Sequence, residues 1–205
     1  MHKPTQGEIR GMLRISLAAI VCAGMLLAMV TMQGCATRST NVFRDPNMDF
    51  GSVRTVAVMP FANFGKDAQG SDRVRDVFIT ALMATGSIYV IPTGEMWRGI
   101  TGASMANPTT PAVAEVVRLC RSLSADAVIT GNIREYGEVR AASTSADVIS
   151  MSLQLIEGQT GKVVWSASTT YGGVGVKDRL LGGGGQPMND ITEKAIHDLI
   201  NKLFE

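Results

Sequence analysis

A charge-free apolar run near the N-terminus divides this chain before any fold is considered. Lys3, Arg10 and Arg14 precede it, Ile15 to Met32 holds no Asp, Glu, Lys or Arg, and Gly34-Cys35 closes it. The chain then turns polar with Ala36-Thr37-Arg38-Ser39-Thr40. A basic start, an apolar middle and a small residue at a polar junction describe an export signal, a segment that takes no part in the folded domain. On residues alone an uncleaved transmembrane anchor stays open, since about 20 apolar residues span a bilayer. About 170 residues follow Gly34, the size of one domain.

A cysteine at such a junction resembles the lipobox of bacterial lipoproteins. The resemblance implies cleavage after Gly34, lipidation of Cys35 and a mature chain that begins there. Met32 and Gln33 stand where lipoboxes usually carry Leu and then Ala or Ser. Ala36 follows the cysteine, and the lack of Asp there resembles an outer-membrane address in a two-membrane bacterium. The expected division is a signal peptide over 1–34, a lipidated flexible tether over 35–51 and a single α/β domain over 52–205.

With the leader's three basic residues and Glu8 set aside, 16 basic residues face 17 acidic ones, a net charge of roughly −1. No basic stripe speaks for nucleic acid. Cys22 leaves with the signal and Cys35 takes the lipid, so Cys120 is alone and no disulfide can form within the mature domain. Cys120 reads as an inert core thiol, with a reactive or intermolecular thiol as the alternative.

Residues Ala36 to Phe50 show no sustained period, and Asp45-Pro46-Asn47 is a turn signal; Val42, Phe43 and Phe50 are candidates to dock on the domain. Val53 to Pro60 reads as a first strand, and Ala62 to Lys66 as a loop. Ser71 is expected to cap a helix carrying Val74, Val77, Phe78, Ala81 and Leu82 that stops at Gly86. Ile88 to Ile91 is a second strand. Thr93 to Thr109, with Met96, Trp97 and Ile100, offers one or two helical turns. Thr110-Pro111 is expected to open a helix with Val113, Val116, Val117 and Cys120 as its stripe. Ala127 to Ile133 is a third strand. Ile149, Met151, Leu153 and Leu155 alternate with Ser150, Ser152 and Gln154, then turn at Gly158-Gln159-Thr160-Gly161 into a strand whose inner face is Val163, Trp165 and Ala167. A glycine-rich loop from Gly172 to Gly185 leads to a helix with Asp190 and Glu193 at capping-box spacing and Ile196, Leu199, Ile200 and Leu203 buried. The class is α/β, a mixed β-sheet with helices packed on it in the order β-α-β-α-β-β-β-α.

Three segments carry a further resemblance. Val56-Ala57-Val58-Met59-Pro60-Phe61, Ser124-Ala125-Asp126-Ala127-Val128-Ile129-Thr130-Gly131, and the hairpin Leu153 to Glu157 with Thr160 to Ser166 are similar, in that order, to segments of the CsgG and LpoB group of bacterial envelope lipoproteins. The resemblance covers most of residues 53 to 168. It implies a fold and a location, with members that activate peptidoglycan synthases or serve secretion assemblies, and it brings no catalytic site.

The expected function is therefore a non-enzymatic accessory or scaffold, anchored on the periplasmic face of the outer membrane through Cys35, that binds protein partners of an envelope complex. A homo-oligomer is a further expected partner state; no nucleic acid, cofactor or metal is expected. Candidate contacts are Trp97 and Arg98 or the Gly172 to Gly185 loop, although Trp97 also reads as core and the glycines as plain flexibility. A CsgG-like secretion channel component is the alternative. Its barrel strands need about 9–11 residues of alternating pattern, and Gly137 to Asp147 is too short and too polar for two of them. An envelope enzyme is a weaker alternative: His197, the mature chain's one histidine, reads as a helix-surface residue, no nucleophile elbow is present, and Gly182 to Gly185 lacks the ending of a phosphate loop.

Overall fold

Successive side chains of a strand point to opposite faces, and this chain builds a core on each. A computed structural model of the protein describes residues 41–141, 144–173 and 185–205. Their order is β1 (Val42–Arg44), β2 (Thr55–Val58), β3 (Ala62–Asn63), α1 (Gly70–Ala84), β4 (Tyr89–Val90), α2 (Thr93–Gly102), α3 (Val113–Leu123), β5 (Ala127–Ala141), β6 (Thr144–Glu157), β7 (Val163–Gly172) and α4 (Met188–Phe204). The strands form one mixed sheet in the order β1-β7-β6-β5-β2-β4, with β3 also on β5. β2 runs parallel to β4 and β5, and β3 parallel to β5. The β5–β6, β6–β7 and β7–β1 pairs are antiparallel. This is the α/β class read from the sequence, in nearly the order expected.

Alternation in β2 sorts the two cores. Val56 and Val58 face α1 and α4, joining Phe78, Leu82, Ile196 and Leu199. Ala57 and Met59 face α2 and α3, joining Met96, Ile100, Leu119 and Cys120. Along the hairpin strands the second core takes Val128 of β5 and Ile156 of β6, with Val163 of β7 packed at its rim. Farther along, the same face carries Ser150, Ser152 and Gln154, and opposite them on β7 Thr170, Ser168 and Ser166, with the Ser150 and Thr170 hydroxyls bonded at 2.9 Å. The polar face read from the hairpin's alternation is therefore present, and the described helices leave it open.

The structure revises several local expectations. Val42–Arg44, read as tether, pairs with β7 through Val42↔Ala167, Phe43↔Ser166 and Arg44↔Trp165, which shields part of an exposed strand edge. Ala62–Asn63, read as loop, pairs with Asn132 and Ile133. Ser71 does not cap α1: the cap position is Gln69 and Ser71 is buried in the first turn. Thr93–Gly102 is a full ten-residue helix. α3 starts at Val113 instead of Pro111, because the Glu115 carboxylate accepts the N–H groups of Ala112 (2.7 Å) and Ala106 (3.2 Å); those bonds hold its carboxyl below the usual range. The stripe consequently rotates to Val116, Leu119 and Cys120, leaving Val113 exposed. α4 opens after Pro187 with no side-chain cap from Asp190. β5 runs on to Ala141, twice the expected length.

Three local contacts hold this sheet in register. The Asp126 carboxylate accepts the N–H groups of Arg54 (2.8 Å) and Thr55 (2.9 Å), fixing the start of β2 beside β5. Between β2 and β3 the chain leaves the ladder, and the buried Arg75 guanidinium donates to the carbonyls of Val58 (2.6 Å) and Met59 (2.9 Å). Gly131 lies under Phe61 and Leu153, where a Cβ would stand 2.6 and 2.8 Å from their ring and methyl carbons. Gly131→Ala is expected to lower stability by about 1–3 kcal/mol through overpacking, measured as a reduced urea midpoint at constant m-value.

Candidate interaction surface

The hydrogen bonds at the end of α4 decide what the domain presents where the chain enters it. Lys202 Nζ lies 2.6 Å from Asp198 Oδ2 with both side chains mostly buried; the Thr169 hydroxyl donates to the same oxygen at 2.7 Å, and Lys202 also donates to the Ser168 carbonyl. Trp165 Nε1–H donates to the Lys202 carbonyl at 3.1 Å. Arg44 Nη2 donates to the Leu203 carbonyl at 2.9 Å and its guanidinium stands 3.9 Å from the centre of the Phe50 ring. The C-terminus of α4 is thereby tied to β7 and β1. Orphan carbonyls at a helix end are favourable partners for such cations. Trp165 is core, as its strand position implied.

This tie leaves two aromatic side chains outside. Val42 and Phe43 are neighbours on β1 and so point to opposite faces: Val42 packs on the first core, whereas Phe43 is 51 % exposed. Phe204, one residue beyond the carbonyl that Arg44 holds, is 45 % exposed. Sequence reasoning grouped Phe43 with Val42 and did not single out Phe204. Only the register with β7 separates the two faces.

A second feature is the far end of the β5–β6 ribbon. Beyond the Val148↔Gly172 pair, Glu138–Ala141 and Thr144–Asp147 pair with each other, and among the described residues no third strand pairs with them. Glu138 lies 3.4 Å from Arg140, and its carboxyl is held below the usual range by the Ser145 hydrogen bond and by that arginine. A groove of about 330 Å³ lies between the ribbon and the β3 loop, lined by Phe64, Lys66, Arg134 and Val139 among others. The described ends of the glycine-rich stretch meet the ribbon at one place. Gly172, at φ +84°, lies against the Asp147 carbonyl where no Cβ fits; Gly173 N–H donates to that carbonyl at 2.8 Å; and Gly185 lies against Ala146. Residues 174–184 of the candidate contact loop lie outside the described residues.

The remaining candidates disperse. Trp97 stands 46 % exposed on α2 beside an exposed Arg98, so Trp97 is not core. His197 is exposed on α4. Cys35 lies outside the described residues. Among the described residues no group of three or more His, Cys, Asp or Glu side chains is placed to hold a metal ion, and no helix is long and apolar enough to cross a membrane.

A model of the GNA1162-like lipoprotein family matches residues 49–198. Among solved structures the chain is similar to a PelC dodecamer from Paraburkholderia phytofirmans, at 16 % identity over 80 % of this chain and 97 % of that one, with a TM-score of 0.53. It is similar to lipoprotein GNA1162 from Neisseria meningitidis at 18 % identity over 74 % and 98 % of the two chains, TM-score 0.52. The LpoB C-terminal domain from Salmonella enterica aligns at 13 % identity over 62 % and 87 %, TM-score 0.46. No curated protein sequence matches. The expected kinship with envelope lipoproteins stands on the family match; the CsgG part of that resemblance finds no support here.

Burial, reinforced by Asp126, pushes the Cys120 thiol from its ordinary 9.0 up to about 11. A thiol whose folded pKa is raised contributes stability that is complete below the unfolded value and fades as pH rises toward the folded one. At pH 8 the native thiolate population is about a hundredfold below that of the unfolded chain. Iodoacetamide at that pH is therefore expected to label Cys120 at least that much faster in concentrated urea than in buffer, read by intact mass.

Proposed function

The chain belongs to the GNA1162-like lipoprotein family, and on that footing we propose that it is a lipid-anchored envelope protein that positions protein partners and performs no catalysis. The anchor is Cys35, the location is the periplasmic face of the outer membrane, and the leader 1–34 is removed. The observation that carries the reading is the joint occurrence of the family match over residues 49–198 and the Gly34-Cys35 junction after a charge-free apolar run. The domain begins earlier than 52 in this reading, since β1 belongs to the sheet. The tether is then Ala36 to Asn41, and seven residue steps from Cys35 to Val42 reach at most about 25 Å. So short a leash holds the domain at one membrane and raises its effective concentration toward partners there.

Two features support a role without chemistry. His197 is exposed on α4 and Cys120 is a buried thiol with a raised pKa, so neither is set up as a base or nucleophile. Partner contact falls instead to the surfaces described above, the open hydroxyl-lined sheet face and the ribbon groove.

Self-assembly is the second reading, favoured by the dodecameric form of the PelC structure that shares the fold. The secretion-channel alternative has less behind it: among the described residues the ribbon extends past the third strand only over Glu138–Ala141 and Thr144–Asp147, short of the about 9–11 residues of a membrane strand.

Labelling cells with tagged palmitate tests the anchor. The wild-type chain is expected to carry label and to fractionate with the outer membrane, while Cys35→Ser carries none; an unlabelled wild type would remove the reading. Affinity capture from detergent-solubilised envelope, with Cys35→Ala as control, is expected to recover a defined envelope complex only with the lipidated form. Light scattering on the same preparation separates a monomer from a large homo-oligomer.

A further inference from the structure

The place where a tether enters a domain determines which part of that domain meets the surface below. The tether described above spans at most about 25 Å, whereas a domain of the size of Asn41–Glu205 is about 40 Å across. The point of entry is β1, the outermost strand on its side of the sheet, with β4 at the opposite edge. Phe43 stands half exposed on one face of that edge and Phe204 half exposed at the end of α4 on the other. The hydrogen bond from Arg44 to the Leu203 carbonyl holds the strand and the helix end together. A flat landing on either sheet face engages one of these rings, and an edge-on landing engages both.

The cations flanking the two rings are already engaged inside the domain: Arg44 with the Leu203 carbonyl and the Phe50 ring, Lys202 with Asp198. The pair therefore offers apolar contact to the bilayer boundary, the kind of contact that aromatic and apolar side chains of peripheral proteins make.

We propose that the β1 edge, with Phe43 on one side and Phe204 on the other, rests on the lipid surface that holds Cys35, seating the domain edge-on to the membrane. The proposal rests on the Cys35 anchor argued above. It leaves the β4 edge, α2 and the exposed Trp97 on the side away from the lipid, free for partners.

The test reconstitutes the mature lipidated protein into vesicles of phosphatidylethanolamine and phosphatidylglycerol with brominated acyl chains, which quench tryptophan on contact. Phe43→Trp and Phe204→Trp are made in a Trp97→Phe background, and the unsubstituted protein reports from Trp97. Trp165 is buried in all of them and supplies a constant background. Quenching at positions 43 and 204 is expected to exceed that at Trp97 several-fold, and to persist when phosphatidylcholine replaces phosphatidylglycerol. Equal quenching at all three positions, or quenching strongest at Trp97, overturns the orientation; loss on removing the anionic lipid overturns its apolar basis. Intact mass of the same samples reports the lipid on Cys35. If it is absent, the anchor reading fails on its own, and coupling Cys35 to a maleimide phospholipid decides the orientation separately, since Cys120 is buried.

Discussion

The rest of the structure depends on β5 being bonded along both edges while its first residues are covered on both faces. One edge takes β2 and β3 in parallel, the other takes β6 antiparallel. A strand in that position has no freedom to slip, because a shift of one residue would exchange Ala127 and Ile129 in one core with Val128 in the other. The break between β2 and β3 is tolerable only because the buried Arg75 satisfies the Val58 and Met59 carbonyls; unpaired buried carbonyls there would cost about 1–3 kcal/mol each. Burial lowers the Arg75 pKa, with Asp76 and Asp72 acting in the opposite sense.

From that centre outward the covering thins. Around β2 and the start of β5 helices lie on both sides; beyond Ile156 and Val163, which still join the α2–α3 core, β6 and β7 are covered on one face, by α4, among the described residues. The uncovered side is built of small hydroxyl residues instead of large apolar ones, which keeps an open sheet face in water without an apolar patch. The distribution divides the domain into a half packed on both faces and a half that presents short polar side chains on one of them. Of the large apolar side chains that remain exposed, Phe43 and Phe204 sit at the β1 edge, whereas others such as Phe64, Trp97 and Val113 lie elsewhere on the domain.

The motif segments that carried the sequence resemblance turn out to be structural. Asp126 pins two strand N–H groups, Gly131 makes room for Phe61, and Gly161, at φ +70°, lies against Val113. None of them lines the ribbon groove. That explains how such segments are readable in a single chain while a function is not: close backbone approach and strand capping demand particular residues, whereas a protein-binding face demands only shape. Trp97 reads both ways in the sequence, as a contact and as core. Its apolar neighbours Met96 and Ile100 are buried, and the helix turns Trp97 itself to the outside.

By itself the sequence determined the α/β class, the polar side of the hairpin and the buried stripes of α1 and α4, because each follows from turn chemistry or from periodicity within a dozen residues. Tertiary structure alone decided the strand order, the docking of β1, the length of β5 and the rotation of α3. Each of those is settled by partners remote in sequence: Val42 needs Ala167, Arg44 finds the Leu203 carbonyl 159 residues away, and Glu115 reaches back to Ala106. Strand pairing is made of backbone hydrogen bonds that any residue but proline supplies, so the choice of partner leaves little mark on residue type.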